Sequence, residues 1–475
     1  MTENKGAVCL TRVKPRAGFP GINDPKTKCA RFDTSFSDAE GIQYTMNSPE
    51  KPTTSRRQFL RRSATGAALL CLPSLAPHGM LRAADGIASN DRLRIGFIGM
   101  GGRARWILTK EALPGTDLVA VSDCFLPRLD EAAKVAKGSE RWKRYQHYQE
   151  MLEKEKLDAV FVETTTHARV LACIHALQAG CHVYAEKPQS LTIAEGRTLV
   201  KAVKKYNRVL QTGSQQRSMP INRFASKLVR DGAIGKIHTV ITHNFLPGRA
   251  WRGKPEEPIP AGLDWDAWCN QTELRPYHSE LQFAWGEITD YDGGGQMWGV
   301  TGWGTHSLDQ VQCALGTDDT GPVEISPQEQ GPACKLTLRY ANGTLLKLEG
   351  AKRGMEDLGA IFLGEKGKIE ILRGSFTSEP KELHQGAPSD TPQGDMESVP
   401  HFENFFSCIR SGKKPNADVE TGHRATTLCH LVNICRIVQR KLQWDPKREL
   451  FVGDEEANKL LSRPRRKGYE LPKLA

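Results

Sequence analysis

The chain has 475 residues, 39% hydrophobic and 25% charged, which is room for two or three packed domains and excludes a chain disordered throughout. The net charge is +11, but residues 1–90 carry 13 Lys and Arg against 7 Asp and Glu, and the rest carries 53 against 48. The long second part therefore has a mixed surface, not a basic stripe, and nucleic acid is not expected as a partner.

The first feature in chain order is "TTSRRQFLRRSATGAALL" at 53–70. Arg56, Arg57, Arg61 and Arg62 precede an apolar run from Ala64 to Ala76, broken by Gly66 and Pro73 and too short to span a bilayer. This is the pattern of a twin-arginine signal. It predicts a chain that engages the twin-arginine export machinery, crosses the membrane folded and resides in the periplasm. Leu70 stands where a small residue would precede a lipid-modified Cys71. Because Met46 lies just ahead of the signal, residues 1–45 are read as a mis-called start, and 1–90 are set aside from the fold.

From residue 91 the pattern alternates between strand and helix. "LRIGFIG" (93–99), "DLVAVSD" (117–123), "LDAVFVE" (157–163), "CHVYAE" (181–186) and "RVLQTG" (208–213) read as strands with helical stretches between them. That alternation predicts an α/β domain over 91–213 with a doubly wound parallel sheet of the Rossmann type. The first turn is Gly99-Met100-Gly101-Gly102-Arg103-Ala104, a G-x-G-x-x-A fingerprint between a strand and a helix. Gly99 permits a tight turn, Gly101 lets backbone approach a pyrophosphate, and Ala104 allows close helix–strand packing. Asp123 ends the next strand, where a carboxylate accepts from a ribose hydroxyl. The expected cofactor is NAD, with NADP kept possible by Arg128. Glu186-Lys187-Pro188 follows the strand at 181–186, at the ligand end of such a sheet.

Beyond residue 213 the strands alternate differently. "KIHTVITHNF" (236–245) reads as a half-buried strand, and "CKLTLRYANGTLLKLEG" (334–350) as a hairpin turning at Asn342-Gly343. "GAIFLGEKGKIEILRG" (359–374) gives two more strands, and helices are expected near 400–411 and 421–441. Residues 214–475 are thus expected to form a C-terminal α/β domain. None of the twelve cysteines falls in a C-x-x-C, so no metal framework is expected. Cys173, Cys313, Cys429 and Cys435 sit among apolar residues and read as free buried thiols.

The stretches "GFIGMGGRA", "ETTTHARV", "YAEKP", "GSQQRSMPINRF", "WGVTGWGTHSLD" and "HFENFFSCIRSGKKPNADVETGHR" resemble the glucose–fructose oxidoreductase / inositol dehydrogenase (Gfo/Idh/MocA) family over roughly 91–465. The resemblance implies a Rossmann domain followed by an α/β domain with an open, mostly antiparallel sheet whose free face pairs in a homo-oligomer. It implies that Lys187 hydrogen-bonds the reacting hydroxyl and that His306 takes its proton. Thr164, Thr165, His167, Glu186 and Gln216 become candidate cofactor contacts, with Gly99, Met100, Gly101, Gly102, Arg103 and Asp123. Arg217, Trp251, Arg252, Tyr291, Trp303 and Asp309 become candidate contacts for a sugar or polyol.

The sequence departs from the family at Gly302, four residues before His306, where the family carries an aspartate. Asp309, on the same helical face as His306, is the expected compensation. The activity so implied is an exported NAD(P)-dependent oxidoreductase acting on a sugar or polyol hydroxyl, with the nucleotide bound before export. The departure leaves open a redox-neutral, NAD-dependent glycoside-cleaving enzyme, or a sugar-binding protein with bound nucleotide.

Overall fold

The computed structural model describes residues 92–350, 358–392, 394 and 397–474. The segment read as a twin-arginine signal and the start read as mis-called lie outside the described residues.

The first sheet has six parallel strands in the order β3-β2-β1-β4-β5-β6. They are β1 (Leu93–Ile98), β2 (Thr116–Ser122), β3 (Lys143–Tyr145), β4 (Ala159–Val162), β5 (His182–Ala185) and β6 (Leu210–Thr212). Helices α1 (Gly102–Lys110), α2 (Pro127–Val135), α3 (Tyr148–Lys154), α4 (Thr166–Gln178) and α5 (Ile193–Tyr206) connect them. Covered on both faces, the central strands are continuous apolar runs, and all four residues of β4 are buried. Phe97, Phe161 and Tyr184 are register neighbours on β1, β4 and β5, and their rings stack at 4.7 and 4.9 Å.

The second sheet has nine strands in the order β13-β12-β11-β7-β10-β9-β8-β14-β15. Its members are β7 (Ile237–His243), β8 (Glu324–Pro327), β9 (Leu336–Arg339), β10 (Leu345–Gly350), β11 (Ala360–Gly364), β12 (Gly367–Leu372), β13 (Ser375–Glu379), β14 (Leu442–Asp445) and β15 (Leu450–Phe451). β7 and β10 pair in parallel and the other neighbours are antiparallel. The β9–β10 hairpin turns at Asn342-Gly343, with Gly343 at φ +90°. The protein therefore has the expected α/β fold: a doubly wound parallel sheet and a mixed, mostly antiparallel one.

Further helices, α6 (Pro220–Arg230), α7 (Trp265–Cys269), α8 (Ser279–Phe283), α9 (Trp303–Leu315), α10 (Val399–Ser411) and α11 (Val419–Val438), belong to the second part of the chain. Leu308 and Val311 of α9 and Leu428, Leu431 and Val432 of α11 share one apolar core with Val240, Leu338, Leu346 and Phe362 of the second sheet. By contrast, α10 turns back: Phe402, Phe405 and Phe406 pack on Phe161 of the first sheet. α11 stops at Val438 instead of 441 because Gln439 takes a left-handed conformation, φ 54°. Cys173, Cys429 and Cys435 are buried free thiols as read from the sequence, whereas Cys313 is only half-buried.

Candidate active site

The carboxyl ends of β1, β2 and β4, the segment 146–149 and the segment around α7 enclose a cleft of about 250 Å³. Gly99 leaves β1 at φ +90°, and a Cβ there would stand 2.9 Å from the Glu163 carbonyl. Gly101 is the N-cap of α1, and a Cβ on it would meet only the Arg128 guanidinium, at 3.3 Å. Gly102 has nothing within 4 Å of its own Cβ position. The first turn of α1 carries no acidic residue and no side-chain cap, so its backbone N–H groups remain available to an anion.

Asp123 accepts from the Met100 amide at 2.7 Å and the Phe125 amide at 2.9 Å, which pins the glycine turn to the end of β2. Burial raises its carboxyl above the usual range, against the pull of Arg128. Thr164 and Thr165 line the same cleft. Thr164 Oγ1 and both carboxyl oxygens of Glu163 are buried without a hydrogen-bond partner among the described residues. A glycine cradle, open helix N–H groups and unpartnered polar atoms on one wall fit a dinucleotide, which this cleft would hold through Gly99–Gly102, Asp123, Glu163 and Thr164.

At the end of β5, Glu186 accepts from Arg103 Nε at 2.9 Å, Gln215 Nε2 at 3.2 Å and the Lys187 amide at 3.1 Å. Burial would raise its carboxyl, but Arg103 and Lys187 outweigh that and hold it below the usual range. Arg169, buried in α4, donates to the carbonyls of Pro188 and Thr164, the latter at 2.6 Å. It thereby ties the Lys187-Pro188 turn to the threonine loop.

Lys187 Nζ donates to the Gly302 carbonyl at 3.1 Å. Gly302 is the N-cap of α9, and His306 lies one turn into that helix. Burial lowers the Lys187 amine, opposed by Glu186 and Asp292. Burial and the Lys187 cation hold the His306 imidazole well below 6.5, so it is neutral at neutral pH, and its buried Nδ1 has no hydrogen-bond partner among the described residues. An ammonium from one part of the chain and a neutral imidazole from the other thus share one site, a donor and a base of the kind that hydride transfer from an alcohol needs.

Two family descriptions match: "Oxidoreductase family, NAD-binding Rossmann fold" over residues 93–214, and "Oxidoreductase family, C-terminal alpha/beta domain" over 221–471. The chain belongs to the Gfo/Idh/MocA oxidoreductase family. Among its relatives, the myo-inositol 2-dehydrogenase of Thermotoga maritima is 33% identical over 358 residues, covering 71% of this chain and 94% of that protein. The D-apiose dehydrogenase of Paraburkholderia graminis is 34% identical over 316 residues, covering 64% and 76% respectively. The solved WlbA dehydrogenase of Bordetella pertussis, in complex with NADH and UDP-GlcNAcA, aligns with a TM-score of 0.54 at 17% identity, covering 74% of this chain and 99% of that one. At that identity the likeness concerns the fold alone.

Several residues that the sequence pointed to lie elsewhere in this Gfo/Idh/MocA chain. His167 is not a cofactor contact: its ring is fully buried against Trp268 and Tyr291, and Nε2 meets the Trp268 carbonyl at 2.8 Å. Tyr291 is fully buried in the same cluster and presents no surface to a sugar. Arg217 and Asp309 are corrected to partners of each other, at 2.8 Å, and Arg217 also pairs with Asp318 at 2.7 Å. Burial holds the Asp309 carboxyl up at about 6 even beside that arginine. Asp309 therefore does not stand in for the missing aspartate. Gln216 donates to the Leu358 carbonyl at 2.8 Å and accepts from Arg373, away from the cleft. Met100 contributes backbone only, since its side chain is in the core, and Arg103 is engaged with Glu186. Trp251 packs on His278, Arg252 is exposed, and Trp303 opens α9 with its ring edge-on to Trp298.

Four residues of the oxidoreductase site went unnoticed in the sequence. Glu163 directly follows β4 and opens the stretch "ETTTHARV", through which the resemblance pointed to Thr164. Asp292 and Arg169 act through contacts 126 and 19 residues away, and Tyr469 reaches the cleft from the C-terminal tail. None of these three has a local signature.

Proposed function

We propose that this enzyme moves a hydride between a nicotinamide cofactor and a hydroxyl-bearing carbon of a sugar or polyol. The observation that carries the reading is Lys187 Nζ docked on the N-cap carbonyl of the helix that bears a neutral His306. A nicotinamide bound in the cleft supplies the hydride acceptor. Lys187 holds a proton at Nζ and donates a hydrogen bond to the reacting oxygen, stabilising negative charge as it develops. His306, neutral at neutral pH, takes the hydroxyl proton. Buried Arg169 keeps the lysine turn and the threonine loop in register. The substrate class is supported by the inositol and apiose dehydrogenases among the relatives.

NAD is the favoured nucleotide because Asp123 sits at the cleft wall, with Arg128 beside it as the feature that would admit NADP. The twin-arginine segment supports export of the folded protein to the periplasm with its nucleotide already bound. A nucleotide so bound would be recycled in place, by a second substrate or by the same sugar. The outer face of the nine-stranded sheet is the surface proposed for pairing with a second copy.

The test is to purify the protein without added nucleotide, release and identify what it carries, and follow nicotinamide absorbance while myo-inositol, aldoses and ketoses are added. Bound nucleotide with a sugar-dependent absorbance change is expected. Bound nucleotide with cleavage of an aryl glycoside and no net absorbance change would replace this reading by the redox-neutral one.

A further inference from the structure

Asp292 is fully buried in the loop ahead of α9. One carboxyl oxygen accepts from the Thr301 hydroxyl and the Gly293 amide, and the other from the Thr166 hydroxyl. Thr301 immediately precedes Gly302, whose carbonyl receives Lys187 Nζ. Thr166 opens α4, directly after the threonine loop of the cleft, and Arg169 of that helix reaches both Thr166 Oγ1 and the Pro188 carbonyl. A single carboxylate therefore joins the segment that meets Lys187 from one side to the helix that braces Lys187 from the other.

The glycines around it are required by close packing, one of them against Asp292 itself. A Cβ on Gly295 would press the Asp292 carboxyl at 2.9 Å, and Gly294 sits at φ +105° against the backbone of Pro247. Gly302 admits no side chain, because its Cβ would overlap the Gln296 carbonyl oxygen and stand 3.0 Å from that of Gly295. The aspartate usual in the family at that position is thus excluded by backbone. Asp292 is the other buried carboxylate, besides Glu186, whose charge acts favourably on the Lys187 ammonium.

We propose that Asp292 is the positioning residue for Lys187, standing in for the aspartate that Gly302 cannot carry. It holds the Gly302 carbonyl in place through Thr301 and supplies the lysine with a second negative charge besides that of Glu186. The role rests on Lys187 being the residue that meets the substrate hydroxyl.

The test reads Lys187 directly, without cofactor or substrate, so its failure is distinct from failure of the proposed reaction. Full-length protein and its variants are reductively methylated with labelled formaldehyde at neutral pH, and modification of Lys187 is followed by peptide mass, with Lys187→Arg fixing the assignment. The charged and titratable groups facing this amine are Glu186, Asp292, Arg169, Arg103 and His306. Removing the Asp292 charge leaves the others in place and disfavours the ammonium. Asp292→Asn and Asp292→Ser are both made, so the result does not hang on one of them folding. Roughly tenfold faster modification is expected in either, the effect of losing one nearby opposite charge. Thr166→Val, which removes the hydroxyl's hydrogen bonds to Asp292 and from Arg169 but no charge, is expected to stay within about twofold of wild type on the same reasoning. An unchanged rate in a folded Asp292 variant, or a Thr166→Val rate equal to that of Asp292→Asn, would overturn the proposal.

Discussion

Lys187 Nζ and the Gly302 carbonyl meet at 3.1 Å across 115 residues of sequence, joining the end of β5 to the first turn of α9. The contact depends on residue 302 being glycine, for a steric reason on the acceptor's side. Gly302→Ala would force the loop off the Gln296 carbonyl and move the acceptor. The expected result is roughly 1–3 kcal/mol of lost stability, as for other overpacked sites, with turnover down at least tenfold. Thermal unfolding and turnover measured together check this. A fully stable, fully active alanine variant would show that the loop is not held as described.

Gly99 and Gly101 should fail differently. Gly99 needs its positive φ, and its Cβ would strike the Glu163 backbone. Gly101 has φ −67°, which any residue adopts, and its Cβ would point only toward the Arg128 side chain. Gly99→Ala is therefore expected to lower stability and nucleotide affinity together. Gly101→Ala should keep wild-type stability and weaken nucleotide binding at least tenfold, because the methyl stands where the pyrophosphate approaches. Calorimetric titration with NAD beside a thermal melt separates the two, and unchanged affinity in Gly101→Ala would move the phosphates off this turn.

Arg217 is expected to matter for stability and not for substrate. Its side chain, 5% exposed, pairs with an Asp309 side chain that is 1% exposed. Arg217→Ala strands that carboxylate and should cost about 3–5 kcal/mol. Urea unfolding checks the loss, with KM of the folded protein expected within about twofold because no binding contact is removed. A large rise in KM with stability intact would return Arg217 to the substrate.

His167 gives a pH signature. Burial holds its imidazole down at about 4, against an ordinary value of 6.5. As pH falls, the unfolded chain protonates first, so this group's contribution is fully present above 6.5 and is lost as pH drops toward about 4. The stability difference between wild type and His167→Gln should shrink across that window by roughly 1.4 kcal/mol per pH unit. Urea unfolding of both proteins at several pH values measures it, and parallel curves would contradict a neutral, buried His167.

Local pattern carried much of the first sheet. β1, β2, β4, β5 and β6 fall where apolar runs end in glycine or charge, and the strand pairs at 334–350 and 359–374 show their turns. The short strands escaped for a physical reason: β3 reads Lys-Arg-Tyr and β15 has two residues, so their pairing is imposed by neighbours and not by their own periodicity. The site divides in the same way. Lys187 was legible as a residue just past a strand end and Thr164 through the family resemblance, whereas the roles of Asp292, Arg169 and Tyr469 were not.

By itself the sequence determined the nucleotide turn and the lysine. Gly99 and Gly101 act through backbone conformation and the N-terminus of the adjoining helix, and Lys187 through its place just past a strand end, so those properties travel with a few consecutive residues. Tertiary structure alone decided the fate of the polar residues between the halves. A buried charge takes whichever partner packing brings within about 3 Å. Packing joined Arg217 to Asp309, turned His167 into the Trp268–Tyr291 cluster, and set Asp292 between Thr166 and Thr301 beside the lysine.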